Sequence, residues 1–265
     1  MNRTALIALF FALVLLVGCA DVPEQEEVWE MEQESVAVFS DGETVDLWRA
    51  RKGELRGSVA WYELSDGTVL LLEDDAAGPE NPGFLSEGAW AAIESGYRTV
   101  GLRYDIKALL DQAYTAYRNC QAEGWEYEPG RVGQSTALTA SNEKVVWFCT
   151  TVNLTLDPAN GQETRLTAVF DRETGEPLEI WSLFTAGETE VRAKLAAIGE
   201  EGFRAELAAA LDPERIVFYP EYLEVHFPAG TVAGQTQERI LQWDYDQLGG
   251  LLQPWAVPEG TEAAE

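Results

Sequence analysis

The stretch from Lys144 to Leu156 constrains the fold more than any other. It carries Val145-Val146-Trp147-Phe148-Cys149-Thr150-Thr151-Val152, and a run this rich in β-branched and aromatic residues suits a central strand. Asn160-Gly161 follows, the best two-residue hairpin signal in the chain, and Thr164 to Phe170 is the expected return strand. A second turn at Asp171-Arg172-Glu173-Thr174-Gly175 leads into Pro177 to Phe184. Three consecutive strands are therefore expected, arranged as a meander.

Helical periodicity appears on both sides of this region. Phe84 to Gly96 reads as a short helix, with Ser86 as N-cap and Leu85, Ala89, Trp90 and Ile93 along one face. Asp105 to about Ala122 is a firmer one, because Ile106, Leu109, Leu110, Ala113, Tyr114 and Tyr117 repeat at core-facing spacing. Tyrosines at that spacing read as core lining before they read as a ligand groove. Thr185-Ala186-Gly187-Glu188 has capping-box spacing. Behind it, Val191, Leu195 and Ile198, then Phe203, Leu207 and Leu211, predict two helices or one kinked helix ending before Pro213. This element is expected to pack on the meander.

The remaining segments are strand-like. Glu43 to Arg49 alternates, and Ser58 to Leu64 and Thr68 to Glu73 flank the Asp66-Gly67 hairpin signal. The acidic loop from Glu73 to Gly83 reads as solvated, with calcium as a weaker alternative because the EF-hand spacing is absent. Arg215 to Tyr219 pairs with Tyr222 to Phe227, where Leu223, Val225 and Phe227 face one way and Tyr222, Glu224 and His226 the other. Glu238 to Trp243 is a last strand, and Asp244 to Leu252 a short helical turn. The expected class is α+β, with antiparallel β meanders packed against a few α-helices.

The N-terminus speaks about location. Arg3 precedes a 13-residue apolar run, Ala5 to Val17, too short to span a bilayer comfortably, and Leu16-Val17-Gly18-Cys19 lies at its end. These four residues resemble the lipobox of bacterial lipoproteins, in which the cysteine is acylated and becomes the mature N-terminus. An ordinary secretory signal is the competing reading. Residues 1–18 are thus read as a signal peptide, Cys19 as the lipidation site, and 19–35 as an acidic tether without a basic residue. Residues 36–103 form a β-rich subdomain, 104–256 an α+β domain, and 257–265 a frayed acidic tail. The expected location is the cell membrane, lipid-anchored on its extracytoplasmic face.

Charge and cysteine content narrow the partners. A net charge of -28 repels nucleic acid and anionic polymers and attracts cations and basic proteins. With Cys19 lipidated, Cys120 and Cys149 are left either as a disulfide or as two buried thiols. A disulfide would close a loop of about 30 residues and contribute on the order of 3 to 4 kcal/mol in the chain-entropy model. One histidine, with no CxxC and no HExxH, argues against zinc. No cofactor is expected.

A family resemblance rests on Phe170-Asp171-Arg172-Glu173-Thr174-Gly175-Glu176-Pro177-Leu178 ahead of Leu183-Phe184, and on Ile216-Val217-Phe218-Tyr219 with Tyr222-Leu223-Glu224-Val225-His226-Phe227. Across Tyr104 to Ala256 the chain resembles the extracellular domain of the lysozyme-sensing anti-sigma factor V family. That domain of unknown function also occurs beside peptidoglycan deacetylases. The family pattern has Asp-Leu-Phe where this chain has Ser182-Leu183-Phe184, and a glycine-rich segment where it has Asn160-Gly161-Gln162. The sigma-binding segment of some relatives is missing, so sigma-factor control is not implied.

Two function classes follow. The first is a non-enzymatic, lipid-anchored binding or sensor module of the cell envelope, with a basic protein or a wall component as ligand. The second is a wall carbohydrate-active enzyme or its accessory domain. Nine tryptophans could stack sugars, although Trp147 and Trp181 sit in runs that read as core, and two carboxylates at glycosidase spacing arise easily among 46 acidic residues. Glu224 and His226 share a strand face as a base and its orienter would, but an exposed histidine is the plainer expectation.

Overall fold

The computed structural model describes residues 29–52, 58–74, 78–157, 161–199 and 201–259. The signal peptide, Cys19 and the turn residue Asn160 lie outside them. Seven strands form one sheet in sequence order: β1 (Trp29–Val38), β2 (Thr44–Lys52), β3 (Ser58–Leu64), β4 (Val69–Glu73), β5 (Gly130–Ser141), β6 (Val145–Thr155) and β7 (Gln162–Asp171). All neighbours are antiparallel except β4 and β5, whose parallel pairing sets Leu71 opposite Gly130. The crossover between them consists of α1 (Glu87–Val100) and α2 (Ile106–Glu123). A second sheet has the order β10-β9-β8, from β8 (Ile216–Phe218), β9 (Tyr222–Phe227) and β10 (Arg239–Asp244). In chain order, α3 (Glu188–Ala196) and α4 (Arg204–Ala210) come after β7 and before β8. The α+β class expected from sequence is the class observed.

The central strand is β6. Its residues Val145 and Trp147 enter one core with α3, α4 and the three-stranded sheet. Val146 and Phe148 enter another on the opposite side, where α1 brings Trp90, Ile93 and Tyr97 and the segment before it brings Leu85. Burial of Val145 through Phe148 on alternating sides explains why this run has no polar period. Each such side chain contributes about 1.5–3 kcal/mol of transfer free energy. A third core joins β2, β3 and β4 to α2 through Leu47, Tyr62, Leu109, Leu110 and Ala113. The caps are local: Ser86 Oγ accepts from Ala89 N at 3.1 Å and Asp105 Oδ1 from Ala108 N at 3.1 Å.

Several expectations are corrected. Residues 29–35 of the expected tether belong to β1. The register sets Glu32 opposite Arg49, and Arg49 also stands 3.8 Å from Glu34, so β2 presents a basic side chain to the acidic run. The β4–β5 pairing carries one sheet across the boundary placed at residue 103. Pro177 to Phe184 makes a single bridge to Phe170 and then rolls into a 3-10 turn at Ile180–Leu183. Proline has no amide to extend a ladder, and the turn buries Ile180 and Leu183. The meander's three strands are therefore β5, β6 and β7. The Thr185 capping box does not form: Gly187 is the N-cap of α3, and Thr185 Oγ1 donates to the Gly250 carbonyl at 3.0 Å. Of the expected tail, Val257 and Glu259 are tied down, since Asn142 Nδ2 donates to Val257 O at 2.9 Å and Glu259 N to Ser141 O at 2.9 Å.

Candidate functional site

The polar residues of β9 converge with β7 at the seam between the two sheets. Leu223, Val225 and Phe227 fill the core beneath β9, which leaves Glu224 and His226 on its other face. That face is covered: His226 is 1% exposed and Glu224 5% exposed. The exposed histidine expected from sequence is thus a buried one, because β9 is not an edge with a wet side.

Arg165 of β7 holds the cluster together. Its Nη1 donates to Glu224 Oε1 at 2.5 Å and to Tyr219 Oη at 3.3 Å, and its Nε donates to Glu163 Oε1 at 2.7 Å. The Arg165 backbone amide donates to His226 Nδ1 at 3.4 Å, which assigns the ring proton to Nε2. Nε2 lies 3.3 Å from Glu238 Oε1 without an aligned hydrogen bond. Tyr219 Oη donates in turn to Glu224 Oε1 at 3.3 Å.

Burial and hydrogen bonding shift three groups at this seam, Arg165, Tyr219 and Cys149. Burial disfavours the Arg165 charge, but the hydrogen bonds it donates to Glu224 and Glu163 outweigh it and hold the guanidinium above its ordinary range. Burial, reinforced by the Glu224 charge, pushes the Tyr219 phenol up. Burial also pushes up the Cys149 thiol, which feels Arg165 more weakly. A thiol held protonated is a poor nucleophile. Glu224 and Arg165 thus act as an internal ion pair clamping β9 to β7, and His226 fills the remaining space between them and Glu238.

The other residues singled out in the sequence are dispersed. Cys120 is half-buried in the last turns of α2 and Cys149 is buried in β6, and both are free thiols. Trp147 is buried in the core and Trp181 packs against it, with the Arg192 guanidinium 5.2 Å from its ring centre. Tyr114 stacks on Phe39 at 4.0 Å, and Tyr117 meets Tyr127 edge-on at 5.5 Å. Their hydroxyls reach Asp41 at 2.7 Å and Asp66 at 3.0 Å. Glu73, at the start of the acidic loop, accepts from Tyr62 at 2.9 Å and from Tyr104 at 2.6 Å; residues 75–77 of that loop lie outside the description. Among the described residues no group of three His, Cys, Asp or Glu is placed to hold a metal ion, and no helix is long and apolar enough to cross a membrane.

Sequence reasoning missed Arg165, Glu163, Tyr219 and Glu238. A usable signal existed. Basic residues are outnumbered, 18 against 46 acidic ones, and Arg165 stands among the β-branched residues of an expected strand, where an unpaired charge would be costly.

No family model and no curated protein matches this chain. Among solved structures, a protein from Pseudomonas aeruginosa PAO1 aligns over 88% of this chain and 98% of its own, with 15% identity and a TM-score of 0.38. One from Bacteroides fragilis NCTC 9343 aligns over 87% and 96%, with 10% identity and a TM-score of 0.37. Both are described as members of the DUF3298 family, a domain of unknown function.

Proposed function

We propose that this chain is a lipid-anchored binding or sensor module of the cell envelope, working on the extracytoplasmic face without catalysing a reaction, with a basic protein or a wall component as its ligand. The observation that carries this reading is the burial of the base-and-orienter pair: Glu224 and His226 are used inside the seam. What the fold turns outward is a carboxylate-rich surface. The Leu16-Val17-Gly18-Cys19 motif supports the location. From Cys19 to Trp29 only nine residues intervene, a reach of about 33 Å at full extension, so the first strand of the sheet would stay close to the bilayer. The likeness of the Asp171–Gly175 turn and the Ile216–Phe227 strand pair to the lysozyme-sensing ectodomain supports a lysozyme as the boldest version of the ligand.

Two readouts on one preparation test the proposal. Metabolic labelling with a fatty-acid analogue should mark the wild type at the membrane, and Cys19→Ala should abolish the label. Immobilised protein should retain lysozyme at low ionic strength and release it as salt rises, as an encounter between opposite charges requires. An unlabelled wild type would overturn the anchor. Absence of retention at either ionic strength would overturn the basic-protein ligand.

A further inference from the structure

The face of β1–β4 turned away from α2 presents two tryptophans side by side. Leu47 and Tyr62 point into the core with α2, so strand alternation sends Asp46 and Trp48 of β2, and Trp61 and Glu63 of β3, to the other side. Trp48 and Trp61 are register partners. Their rings lie 6.3 Å apart and within 10° of parallel, and both are partly exposed. Neither ring belongs to any of the three apolar cores.

The pair is framed by carboxylates on neighbouring strands. Trp61 Nε1 donates to Glu63 Oε2 at 3.1 Å, which fixes the indole with an anionic group at its edge. Asp46 stands opposite Glu63 in the register and accepts from Gln33 Nε2 of β1 at 2.6 Å. Each carboxylate retains further lone pairs for a ligand. Parallel aromatic faces on a sheet offer apolar area at low entropic cost, and the charged rim decides which ligand gains from it.

We propose that Trp48 and Trp61 form a stacking platform for a pyranose chain, and that Asp46 and Glu63 select one built of amine-bearing amino sugars. A pyranose ring presents C–H faces that cover an indole while its equatorial substituents reach the rim. An ammonium on such a ring matches the two carboxylates and gains from the indole quadrupole. Polyanionic glycans are disfavoured by the net charge of -28. The site deepens the wall-component reading above and rests on it only for the place where such a chain would be met.

The test is titration of the full-length, detergent-solubilised protein with deacetylated chito-oligosaccharide, followed by calorimetry and by tryptophan fluorescence. It is run at about 1 M salt, where the screening length is near 3 Å and generic attraction to an acidic protein is suppressed. Saturable binding is expected, weakened at least about tenfold by Trp48→Ala or Trp61→Ala, while Trp125→Ala, a change at a tryptophan 70% exposed elsewhere, has no effect. These substitutions leave the charge unchanged, so non-specific ionic binding would survive them. Trp48→Phe and Trp61→Phe keep an aromatic face, and should bind with intermediate affinity if the alanine variants fail to fold. Asp46→Asn with Glu63→Gln should shift preference toward the N-acetylated oligomer. No saturable binding, or binding indifferent to both tryptophans, would overturn the proposal. Either result can be told apart from failure of the anchor or of lysozyme retention, since neither enters this measurement.

Discussion

Arg165 of β7 and Glu224 of β9 stand 2.5 Å apart across the seam between the two sheets, the carboxylate side chain 6% exposed and the guanidinium 28%. Removing Arg165 strands the Glu224 carboxylate, which is 6% exposed, where water cannot take the guanidinium's place. Arg165→Met should therefore cost about 3–5 kcal/mol, the range for breaking a buried pair. The double variant Arg165→Met with Glu224→Leu should recover most of that loss, because apolar residues of similar volume replace both charges. Urea unfolding midpoints of the two single variants and the double variant check this. A double variant as unstable as the singles would mean that the pair does more than offset its own burial.

Gly175 closes the turn that follows β7, at φ +74, and a Cβ placed on it would lie 2.1 Å from the Ala89 carbonyl oxygen of α1. Gly175→Ala meets both a left-handed backbone and a helix that cannot retreat, since Ile93, one turn further along α1, is fully buried against β6 and β7. A loss of about 3 kcal/mol or more is expected from strain and displacement together. Gly42→Ala is the control: it has a similar φ of +88 with nothing within 4 Å, and should lose only the backbone part, about 1 kcal/mol. Thermal midpoints of the two variants separate the contributions.

The same glycine shows how far the sequence could be read. Asp171-Arg172-Glu173-Thr174-Gly175 announces a turn, and Asp171 Oδ1 does accept from the Glu173 and Thr174 amides at 3.0 and 2.8 Å. Nothing local says that the turn presses on α1, because that contact is made with a helix some 80 residues earlier. Helix α1 was legible down to its Ser86 cap and α2 by its apolar spacing, since periodicity and capping are local properties. The His226 seam was legible by half. Alternation put Glu224 and His226 on one face, but burial of that face depends on Arg165 arriving from another sheet. Thr185 failed for a related reason: its spacing to Glu188 suits a cap, and a more distant carbonyl, that of Gly250, takes its hydroxyl.

Cys120 and Cys149 differ in access. Cys120 is half-buried on α2, whereas Cys149 is buried in β6 with its thiol pushed up by burial. Thiolate is the reactive form, so in a Cys19→Ala background one thiol should react promptly with a disulfide reagent and the second only on unfolding. Cys120→Ser should abolish the prompt reaction. Two thiols silent even after denaturation without reductant would establish a disulfide in the isolated protein.

Tyrosine burial sets the alkaline limit of the fold. Tyr62, Tyr97, Tyr104, Tyr219 and Tyr245 are all pushed above their ordinary range, chiefly by burial, and Tyr127 is raised to about 12 by the same cause. A raised folded value means that the native state holds its protons where the unfolded chain, titrating near about 10, has released them. Stability from these groups is therefore fully present below about pH 10 and is lost as pH rises toward the folded values. Phenolate absorbance should lag behind a free-tyrosine curve and then rise together with loss of the circular dichroism signal. Tyr62 and Tyr104 add a second cause, since both donate to Glu73 and its negative charge opposes their ionisation. Replacing both by Phe should lower stability at neutral pH, because Glu73 loses two donors, and should make the decline above pH 10 shallower, because two titrating groups are gone. If the slope is unchanged in that variant, the alkaline transition is governed by groups outside the α2 interface.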